Sequence, residues 1–247
     1  MSILKYLFDN ELIEGVIVKR KNQFTMIVSL NGEEVSCHCP TTGRIGDLEI
    51  KNIACLLSKS NDPNRKTPYT VEAVSADNLD EPNKNWIGIN QTLSNKLVEF
   101  FFKTHQLDAI VSEYENIKRE VKLGVSKLDF LIGNTYLEVK TPLTTLQVKY
   151  GSNITIKPTK PFSSTERFTK HIKELTGSLN DHERAILLTV YQYQITEPKA
   201  RQRSTHYEEV SAVMREAVKK GVQTFEVSMK FEPDGVELIN IVETTNR

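Results

Sequence analysis

The most informative stretch of this chain reads Asp129-Phe-Leu-Ile-Gly-Asn-Thr-Tyr-Leu-Glu138-Val-Lys140, two apolar runs separated by a short turn. The runs 127–132 and 135–140 predict two strands, and Gly133-Asn134 predicts the two-residue turn of a β-hairpin because both residues tolerate positive φ. Side chains alternate between the faces of a strand, so Glu138 and Lys140 share a face. Pairing of the two strands can then bring Asp129 to the same edge of the sheet.

Two carboxylates and a lysine at this spacing suit hydrolysis of a phosphodiester bond assisted by Mg²⁺ or Mn²⁺. Carboxylates supply hard oxygen ligands, while a lysine can orient or activate water and offset negative charge. Asp129 and Glu138 are therefore the predicted metal ligands, and these two acids with Lys140 are the predicted catalytic residues. Charged residues also end edge strands by chance in many proteins, so the spacing alone leaves that alternative open. Each acid lies between apolar residues, however, where a carboxylate usually needs a partner or a metal.

The composition is that of a water-soluble globular protein of one large or two ordinary domains. The chain has 247 residues, of which 38% are hydrophobic and 26% are charged. Its longest apolar runs are far too short to span a membrane. Three cysteines, an odd number spread thinly, argue against a disulfide framework and favour a reducing cytoplasm. Thirty-two basic and thirty-two acidic residues cancel, so any binding of nucleic acid must rely on local patches.

The first part of the chain, residues 1–84, reads as an all-β domain. Strand-like runs cover 11–19, 23–30, 33–38, 49–58 and 69–74, and Asn31-Gly32 is a strong signal for a type I′ hairpin. Five strands with basic turns predict a small barrel of OB type, a fold often used to grip nucleic acid. The predicted contacts to nucleic acid in this domain are Lys19, Arg20, Lys21, Arg65 and Lys66, although short basic runs are more often solvated turns.

The second part, residues 85–247, follows a polar linker at 75–85 and reads as an α/β domain with a mixed central sheet. Thr92 or Ser94 is predicted to cap a helix, and the hairpin comes next, preceded by a strand near 119–123. Residues 163–165 are predicted to cap a second helix, a buried strand covers 184–194, a helix covers 207–220, and two strands close the chain.

The second of these helices begins beside the predicted site and allows two interpretations. Glu166 and Lys170 are four residues apart and could form an exposed pair that supports the helix. Alternatively, Arg167, Lys170 and His171 face substrate phosphates at the helix N-terminus, where anions are favoured. Arg167 and Lys170 are accordingly counted among the predicted contacts to nucleic acid.

The segment Cys37-His38-Cys39 resembles a metal site at first sight. On a strand the two cysteines share a face while the histidine points away, and no second ligand pair at zinc spacing follows. A packed pair of buried thiols is therefore the better interpretation. In the following turn, Gly43 is predicted to adopt a conformation that only glycine accepts easily.

Blocks along nearly the whole chain resemble the bacterial and archaeal sugar fermentation stimulation protein A family. They are Lys19-Arg-Lys-Asn-Gln-Phe24, His38-Cys-Pro-Thr-Thr-Gly43, Trp86-Ile-Gly-Ile-Asn90, Arg119-Glu-Val-Lys-Leu-Gly124, Ser126-Lys-Leu-Asp-Phe130, Leu137-Glu-Val-Lys140, Thr165-Glu-Arg167 and Lys170-His171. Their consistent order is more specific than any single motif.

The resemblance implies an N-terminal OB-fold domain and a C-terminal domain of the PD-(D/E)xK nuclease type, with the nuclease motif on Asp129, Glu138 and Lys140. In such nucleases a further acidic metal ligand often comes from a preceding helix, for which Glu99 is the helical candidate and Glu120 a candidate on a strand. The family usually has an arginine where this chain has Lys127, which loses a planar, bidentate contact to phosphate. Lys127 is still counted among the predicted contacts to nucleic acid.

The sequence therefore predicts a cytoplasmic nucleic-acid-binding protein that acts as a Mg²⁺-dependent or Mn²⁺-dependent nuclease, a phosphodiester hydrolase. DNA is preferred to RNA as the partner, no membrane is involved, and a homodimer is left open. The alternative is a non-catalytic DNA-binding regulator of sugar metabolism genes of the maltose type, as the family's described role implies. A third interpretation is an interaction module whose acidic pair is incidental. No helix-turn-helix supports base-specific regulation, which favours the enzyme.

Overall fold

A computed structural model of the chain describes residues 4–112 and 114–245. Its strands and helices are, in order, β1 (Tyr6–Leu7), β2 (Ile13–Asn22), β3 (Thr25–Leu30), β4 (Glu33–His38), β5 (Ala54–Lys59), β6 (Tyr69–Ser75), β7 (Trp86–Gly88), α1 (Gln91–Lys103), β8 (Ile117–Leu123), β9 (Ser126–Ile132), β10 (Thr135–Lys140), α2 (Glu166–Gly177), β11 (Arg184–Tyr191), α3 (Tyr207–Lys219), β12 (Gln223–Glu232) and β13 (Gly235–Glu243). A short 3-10 helix, Ser178–Asn180, follows α2. The two short strands β1 and β7 were not among the sequence-based predictions.

Strands β2 to β6 form a five-stranded barrel. Their order is β4-β3-β2-β5-β6, and a parallel pairing of β4 with β6 closes the barrel. The OB-type barrel predicted from the strand pattern is confirmed. In the β3–β4 turn, Asn31 and Gly32 have φ angles of 53° and 88°, the two positive values that a type I′ hairpin requires.

Strand β5 is shorter than predicted. The predicted run began at Glu49, but the strand begins at Ala54 because Lys51 and Asn52 form a turn in which Asn52 has a φ of 58°. Asparagine enters this left-handed region more readily than most residues, since its short polar side chain can bond locally.

The rest of the sheet is mixed, as predicted for residues 85–247. Strands β10, β11 and β12 run parallel, while β9, β13 and β7 pair with this group antiparallel. Alternate residues of the central strands face opposite layers. Ile186 and Leu188 pack in the core that contains α1, and Ala185 and Leu187 pack in the core that contains α2 and α3. Burial on both faces explains why β11 reads as a continuous apolar run.

Strand β7 joins the barrel to the mixed sheet. Trp86 pairs with Ser75 of β6 on one side and with Phe231 of β12 on the other, so one sheet runs through both parts of the molecule. The N-terminal strand β1 pairs with β13 rather than with the barrel. The domain boundary at residue 84 stays a prediction.

The cap of α1 differs from the predicted one, whereas the cap of α2 lies within the predicted segment 163–165. Asn90 is the N-cap of α1, where its side chain accepts hydrogen bonds from the backbone N–H groups of Thr92 and Leu93, so Thr92 and Ser94 lie inside the helix. Thr165 is the N-cap residue of α2, but its side chain makes no capping hydrogen bond. Asparagine is as favourable an N-cap residue as serine. Because α1 begins at Gln91, the cap is Asn90 rather than Ser94.

The three cysteines are free and buried, which confirms that Cys37 and Cys39 are packed thiols. Burial raises the pKa of the Cys37 thiol to about 11. The prediction for Gly43 is wrong, because the glycine with a φ of 55° in this region is Gly46. None of the helices in the described ranges is long and apolar enough to cross a membrane.

Candidate active site at the β9–β10 hairpin

The hairpin brings Asp129 beside the strand that carries Glu138 and Lys140. Gly133 supplies a φ of 54° in the turn, and the regular pairing of β9 with β10 ends at Leu137 opposite Phe130. Beyond that point, Asp129 Oδ2 accepts a hydrogen bond of 2.8 Å from the backbone N–H of Val139. The aspartate thus takes the place of a backbone partner where the two strands separate, which fixes its carboxylate against β10.

Asn95 holds the other oxygen of Asp129. Its side-chain amide donates a hydrogen bond of 2.8 Å to Asp129 Oδ1. Asn95 lies on α1, one residue after Ser94, whose hydroxyl bonds the hydroxyl of Thr141 just beyond β10 at 3.1 Å. The first turns of α1 are therefore tied to both strands of the site, an arrangement that was not predicted from the sequence.

Glu138 is the most buried charged group of the site, with only 2% of its side chain exposed. Its Oε1 atom contacts the Nζ of Lys140 and lies 2.5 Å from Nδ1 of His171 on α2. Its Oε2 atom is buried and has no hydrogen-bond partner among residues 4–112 and 114–245. A buried carboxylate oxygen without a donor is costly, so this atom marks a place for a cation or a donor from outside the chain.

The electrostatics of the site show that the two carboxylates interact. Burial raises the pKa of Asp129, and the negative charge of Glu138 raises it further. The hydrogen bonds from Val139 and Asn95 and the positive charge of Lys140 act in the opposite direction. A bound cation would relieve the repulsion between the acids, because it favours the charged form of both.

The donor set fits a hard divalent cation. The carboxylates of Asp129 and Glu138 are near enough to interact electrostatically, and Mg²⁺ is often held by one or two carboxylates while it keeps several waters. No cluster of three or more His, Cys, Asp or Glu side chains forms a ready ligand cage within residues 4–112 and 114–245. The buried Oε2 of Glu138 is therefore the atom available as a metal ligand, and the metal itself stays a prediction.

The two further acids predicted as metal ligands are engaged elsewhere. Glu99 lies 2.6 Å from Nζ of Lys103 and 3.1 Å from Nη1 of Arg119, and these partners hold its pKa below the usual range. Glu120 is 67% exposed, and its nearest cationic partner is Lys127 at 3.9 Å. Glu120 has a φ of 50°, which interrupts the regular β8–β9 pairing opposite Asp129. Within the described part of the chain, neither Glu99 nor Glu120 forms a ligand cluster with Asp129 and Glu138.

The predicted basic contacts fall into two groups. Lys19, Lys21, Arg65, Lys66, Lys127, Arg167 and Lys170 are exposed, where each can meet a ligand. Arg20, in contrast, donates hydrogen bonds to the backbone carbonyls of Gly43, Gln23 and Thr41, at 2.7, 3.0 and 2.5 Å. Arg20 therefore holds the loop after β4 against the β2–β3 hairpin, so most of its donors are already occupied.

Helix α2 separates the residues that were predicted together at its N-terminus. Arg167 and Lys170 are exposed, but His171 is 7% exposed and points into the sheet against Glu138. The helical repeat explains this difference, because Phe168, Ile172 and Leu175 on the same side also face the core. His171 is thus part of the acidic site and does not face solvent. Its helical spacing from Phe168 and Leu175 was the sequence signal that could have predicted its burial.

The raised pKa of Asp129 makes stability depend on pH when no metal is bound. Protonation of a group whose folded pKa is raised stabilises the fold below the unfolded value of about 3.9, and this contribution is lost as the pH rises through the folded pKa. In EDTA, we expect the free energy of unfolding of the wild type, relative to Asp129→Asn, to fall as the pH rises above the usual aspartate pKa of about 3.9. Urea unfolding of both proteins at several pH values measures it, and a constant difference would contradict the expectation.

Two protein-family models match consecutive parts of this chain. A family model described as "Sugar fermentation stimulation protein RE domain" matches residues 92–235, and one described as "SfsA N-terminal OB domain" matches residues 18–89. The chain is 33% identical to a "Sugar fermentation stimulation protein homolog" of Clostridium novyi (strain NT), over 95% of this chain and 97% of the relative. It is 30% identical to the homolog of Synechococcus sp. (strain JA-2-3B'a(2-13)), over 96% and 95%.

One solved structure, described as "The structure of Pyrococcus Furiosus SfsA in complex with Ca2+", superposes on the chain with a TM-score of 0.72. The sequences are 20% identical, and the match covers 97% of this chain and 96% of that one. At this level of identity the superposition shows a shared fold.

Proposed function

This chain belongs to the sugar fermentation stimulation protein family, and from that premise we propose that it is a divalent-metal-dependent nuclease of the PD-(D/E)xK type. Its substrate is nucleic acid, DNA in preference to RNA, and the reaction is hydrolysis of a phosphodiester bond. Asp129 and Glu138 hold the metal, and Lys140 completes the catalytic group.

The observation that carries this proposal is the unpartnered Oε2 of Glu138. A buried carboxylate oxygen without a donor is costly, and Glu138 shares only Oε1 with Lys140 and His171, which leaves Oε2 available to a cation. The neighbouring carboxylate of Asp129 has a raised pKa because of burial and the charge of Glu138. Two close acids that repel one another in the absence of a metal are what a cation would hold together. The complex of the Pyrococcus furiosus protein with Ca²⁺ adds support for a cation in this fold.

Each side chain of the site then has a separate task. When bound, Mg²⁺ or Mn²⁺ would polarise the scissile phosphate and lower the pKa of a water ligand. Lys140, whose side chain is 29% exposed, reaches solvent and offers a positive charge to the attacking water or to the phosphate oxygens. His171 fixes Glu138 from behind, and Asn95 fixes Asp129 from α1. Such outer contacts keep the two carboxylates in place while substrate enters.

The barrel is proposed to hold the substrate strand. Lys19 and Lys21 lie exposed at the end of β2, and Arg65 and Lys66 lie exposed in the loop between β5 and β6. Arg20 orders the first of these regions through its bonds to backbone carbonyls. Contacts of this kind neutralise phosphates, so affinity should fall steeply as salt is raised.

The experiment that tests the function compares labelled single-stranded and double-stranded DNA and RNA. Each is incubated with the protein in Mg²⁺, in Mn²⁺ and in EDTA. Cleavage that needs the metal would support the nuclease and identify its substrate. Tight, salt-sensitive binding without cleavage in every metal would overturn the nuclease and favour the non-catalytic DNA-binding regulator.

Asn95 should matter for rate although it does not touch the proposed metal. We expect Asn95→Ala to lower metal-dependent cleavage about tenfold to a hundredfold, because the Asp129 carboxylate loses the donor that orients it. Gln91→Ala, an exposed change on the same helix, is the matched control and should leave the rate unchanged. Equal rates for the two variants across a range of Mg²⁺ concentrations would show that Asn95 does not position the acid.

A further inference from the structure

A cavity of about 460 Å³ lies between the N-terminal segment, the barrel and the beginning of α1. Its lining includes Tyr6 from β1, Ser58 and Lys59 from β5, Glu72 from β6 and Lys96 from α1. A volume of this size is within the range of sites that bind small molecules. The cavity is separate from the acidic site, but the two share the first turns of α1, where Lys96 follows the Asn95 that bonds Asp129.

Glu72 is the buried polar group of this cavity. It is 8% exposed, and its two oxygens accept hydrogen bonds from the hydroxyl of Ser58 at 2.6 Å and the amide of Asn90 at 2.7 Å. A carboxylate has about four acceptor positions, so these two donors leave part of its capacity unused. No lysine or arginine forms an ion pair with it within the described ranges. Glu72 is therefore a desolvated acceptor that faces an open space.

The cavity is lined by basic residues from the barrel and α1 and by acidic residues from the N-terminal segment. Lys59 and Lys96 are exposed, and they come from the barrel and from α1. The exposed acids Asp9 and Glu11 come from the N-terminal segment on another side. The pKa of the Tyr6 hydroxyl is raised by burial and then by the charges of Asp9 and Glu72, so the hydroxyl keeps its proton near these two acids. The cavity thus combines a buried acceptor with two lysines able to meet an anion.

We propose that this cavity binds a nucleotide whose base carries an exocyclic amino group, guanine best of all. Guanine presents two adjacent N–H donors to the Glu72 carboxylate, and its phosphate lies towards Lys59 and Lys96. Uracil and thymine present one N–H flanked by two carbonyl oxygens, which the carboxylate repels. The inference rests on the proposed function, since the nucleotide is most simply part of the substrate strand, and it makes the cavity a determinant of sequence preference near the cut.

The test measures binding without cleavage. Wild-type protein in EDTA is titrated by calorimetry with GMP, with UMP, and with short single strands of uridine that do or do not contain one guanosine. We expect GMP to bind about tenfold or more tighter than UMP. If a guanosine-containing strand binds more tightly than GMP, the ligand of the cavity is a nucleotide within the substrate strand. If GMP binds more tightly than the strand, the ligand is a free nucleotide. Equal binding of GMP and UMP, or no binding of either, would overturn the inference whatever the cleavage assay shows.

Glu72→Gln separates recognition from folding. The glutamine can keep both existing contacts, because its oxygen can accept from Asn90 and the Ser58 hydroxyl can turn to accept from its amide. We expect it to abolish the preference for GMP over UMP without a large fall in melting temperature. A folded Glu72→Gln protein that keeps the preference would overturn the assignment.

Lys96→Ala provides a second test that leaves Glu72 intact. It should weaken binding of GMP but not of guanosine, because only GMP carries the phosphate. Lys219→Ala, an exposed lysine on α3, is the matched control and should change neither affinity. If Lys96→Ala lowers the affinities for GMP and for guanosine equally, or lowers neither affinity, the proposed orientation of the nucleotide is contradicted.

Discussion

Glu138→Gln should abolish metal-dependent cleavage, with an expected loss of about a thousandfold or more. Glutamine has nearly the same shape, and its oxygen can still accept from Lys140 and His171. Its amide N–H₂ group, however, takes the place of the buried Oε2 and presents donors where the proposed cation would bind. The change removes one negative charge from the site without opening a cavity, so it separates chemistry from folding.

Initial rates on the best substrate of the nucleic-acid panel measure this effect, and binding is followed in EDTA by fluorescence anisotropy. Glu183→Gln is the matched control, because Glu183 is exposed beyond α2 and should have no influence on rate. We expect Glu138→Gln to bind nucleic acid as the wild type does. Cleavage within about tenfold of the wild-type rate would remove Glu138 from the mechanism and with it the proposed metal site.

Trp86→Ala should lower the free energy of unfolding by about 3–5 kcal/mol, the usual cost when a buried aromatic residue is reduced to alanine. Trp86 is 5% exposed and packs in the core formed by the mixed sheet and α1. It also pairs with both β6 and β12, so the loss occurs where the barrel meets the rest of the sheet. Few single substitutions in this chain should affect both halves of the molecule at once.

Guanidinium unfolding followed by circular dichroism measures this change, since Trp86 is the single tryptophan and cannot report on its own removal. Trp86→Phe keeps an apolar aromatic ring and serves as the control, with a clearly smaller loss expected. A second, separate unfolding transition in Trp86→Ala would show that β7 couples the two halves. A loss below about 1 kcal/mol would show that the strand contributes little to the core.

The hairpin and its charged residues could be predicted because the pattern is local. Alternation of side chains along a strand and a glycine in the turn decide which residues share an edge, and both are visible in 127–140. The barrel was predictable for the same reason, since short alternating runs separated by turns such as Asn31-Gly32 predict neighbouring antiparallel strands. The apolar run predicted as a buried strand at 184–194 corresponds to β11, which ends at Tyr191.

The remaining details depend on contacts between distant parts of the chain. His171 meets Glu138 only because α2 packs across β10, and Asn95 meets Asp129 only because α1 packs on the opposite layer. Neither contact leaves a periodic signal. Strands β1 and β7 are two and three residues long, too short for any pattern to emerge before their partners are known. Arg20 reads as a surface cation in sequence, and only the folded loop shows that backbone carbonyls occupy it.

The continuous sheet through β6, β7 and β12 has a geometric consequence for the proposed nuclease, in which the barrel would hold the substrate strand and the acidic site would cut it. Gly88 in this bridge lies so close to Gln192 and Phe231 that an added Cβ would come within 2.7 and 2.9 Å of them. Strand β7 pairs with β6 at three positions and with β12 at Trp86 opposite Phe231, and this pairing together with the close packing at Gly88 opposes separation of the two halves. If the barrel holds the substrate strand as proposed, the fold itself fixes the distance between the barrel's basic residues and the acidic site. The proposed cleavage would then fall a constant number of nucleotides from the segment that the barrel binds, wherever on a long strand that segment lies.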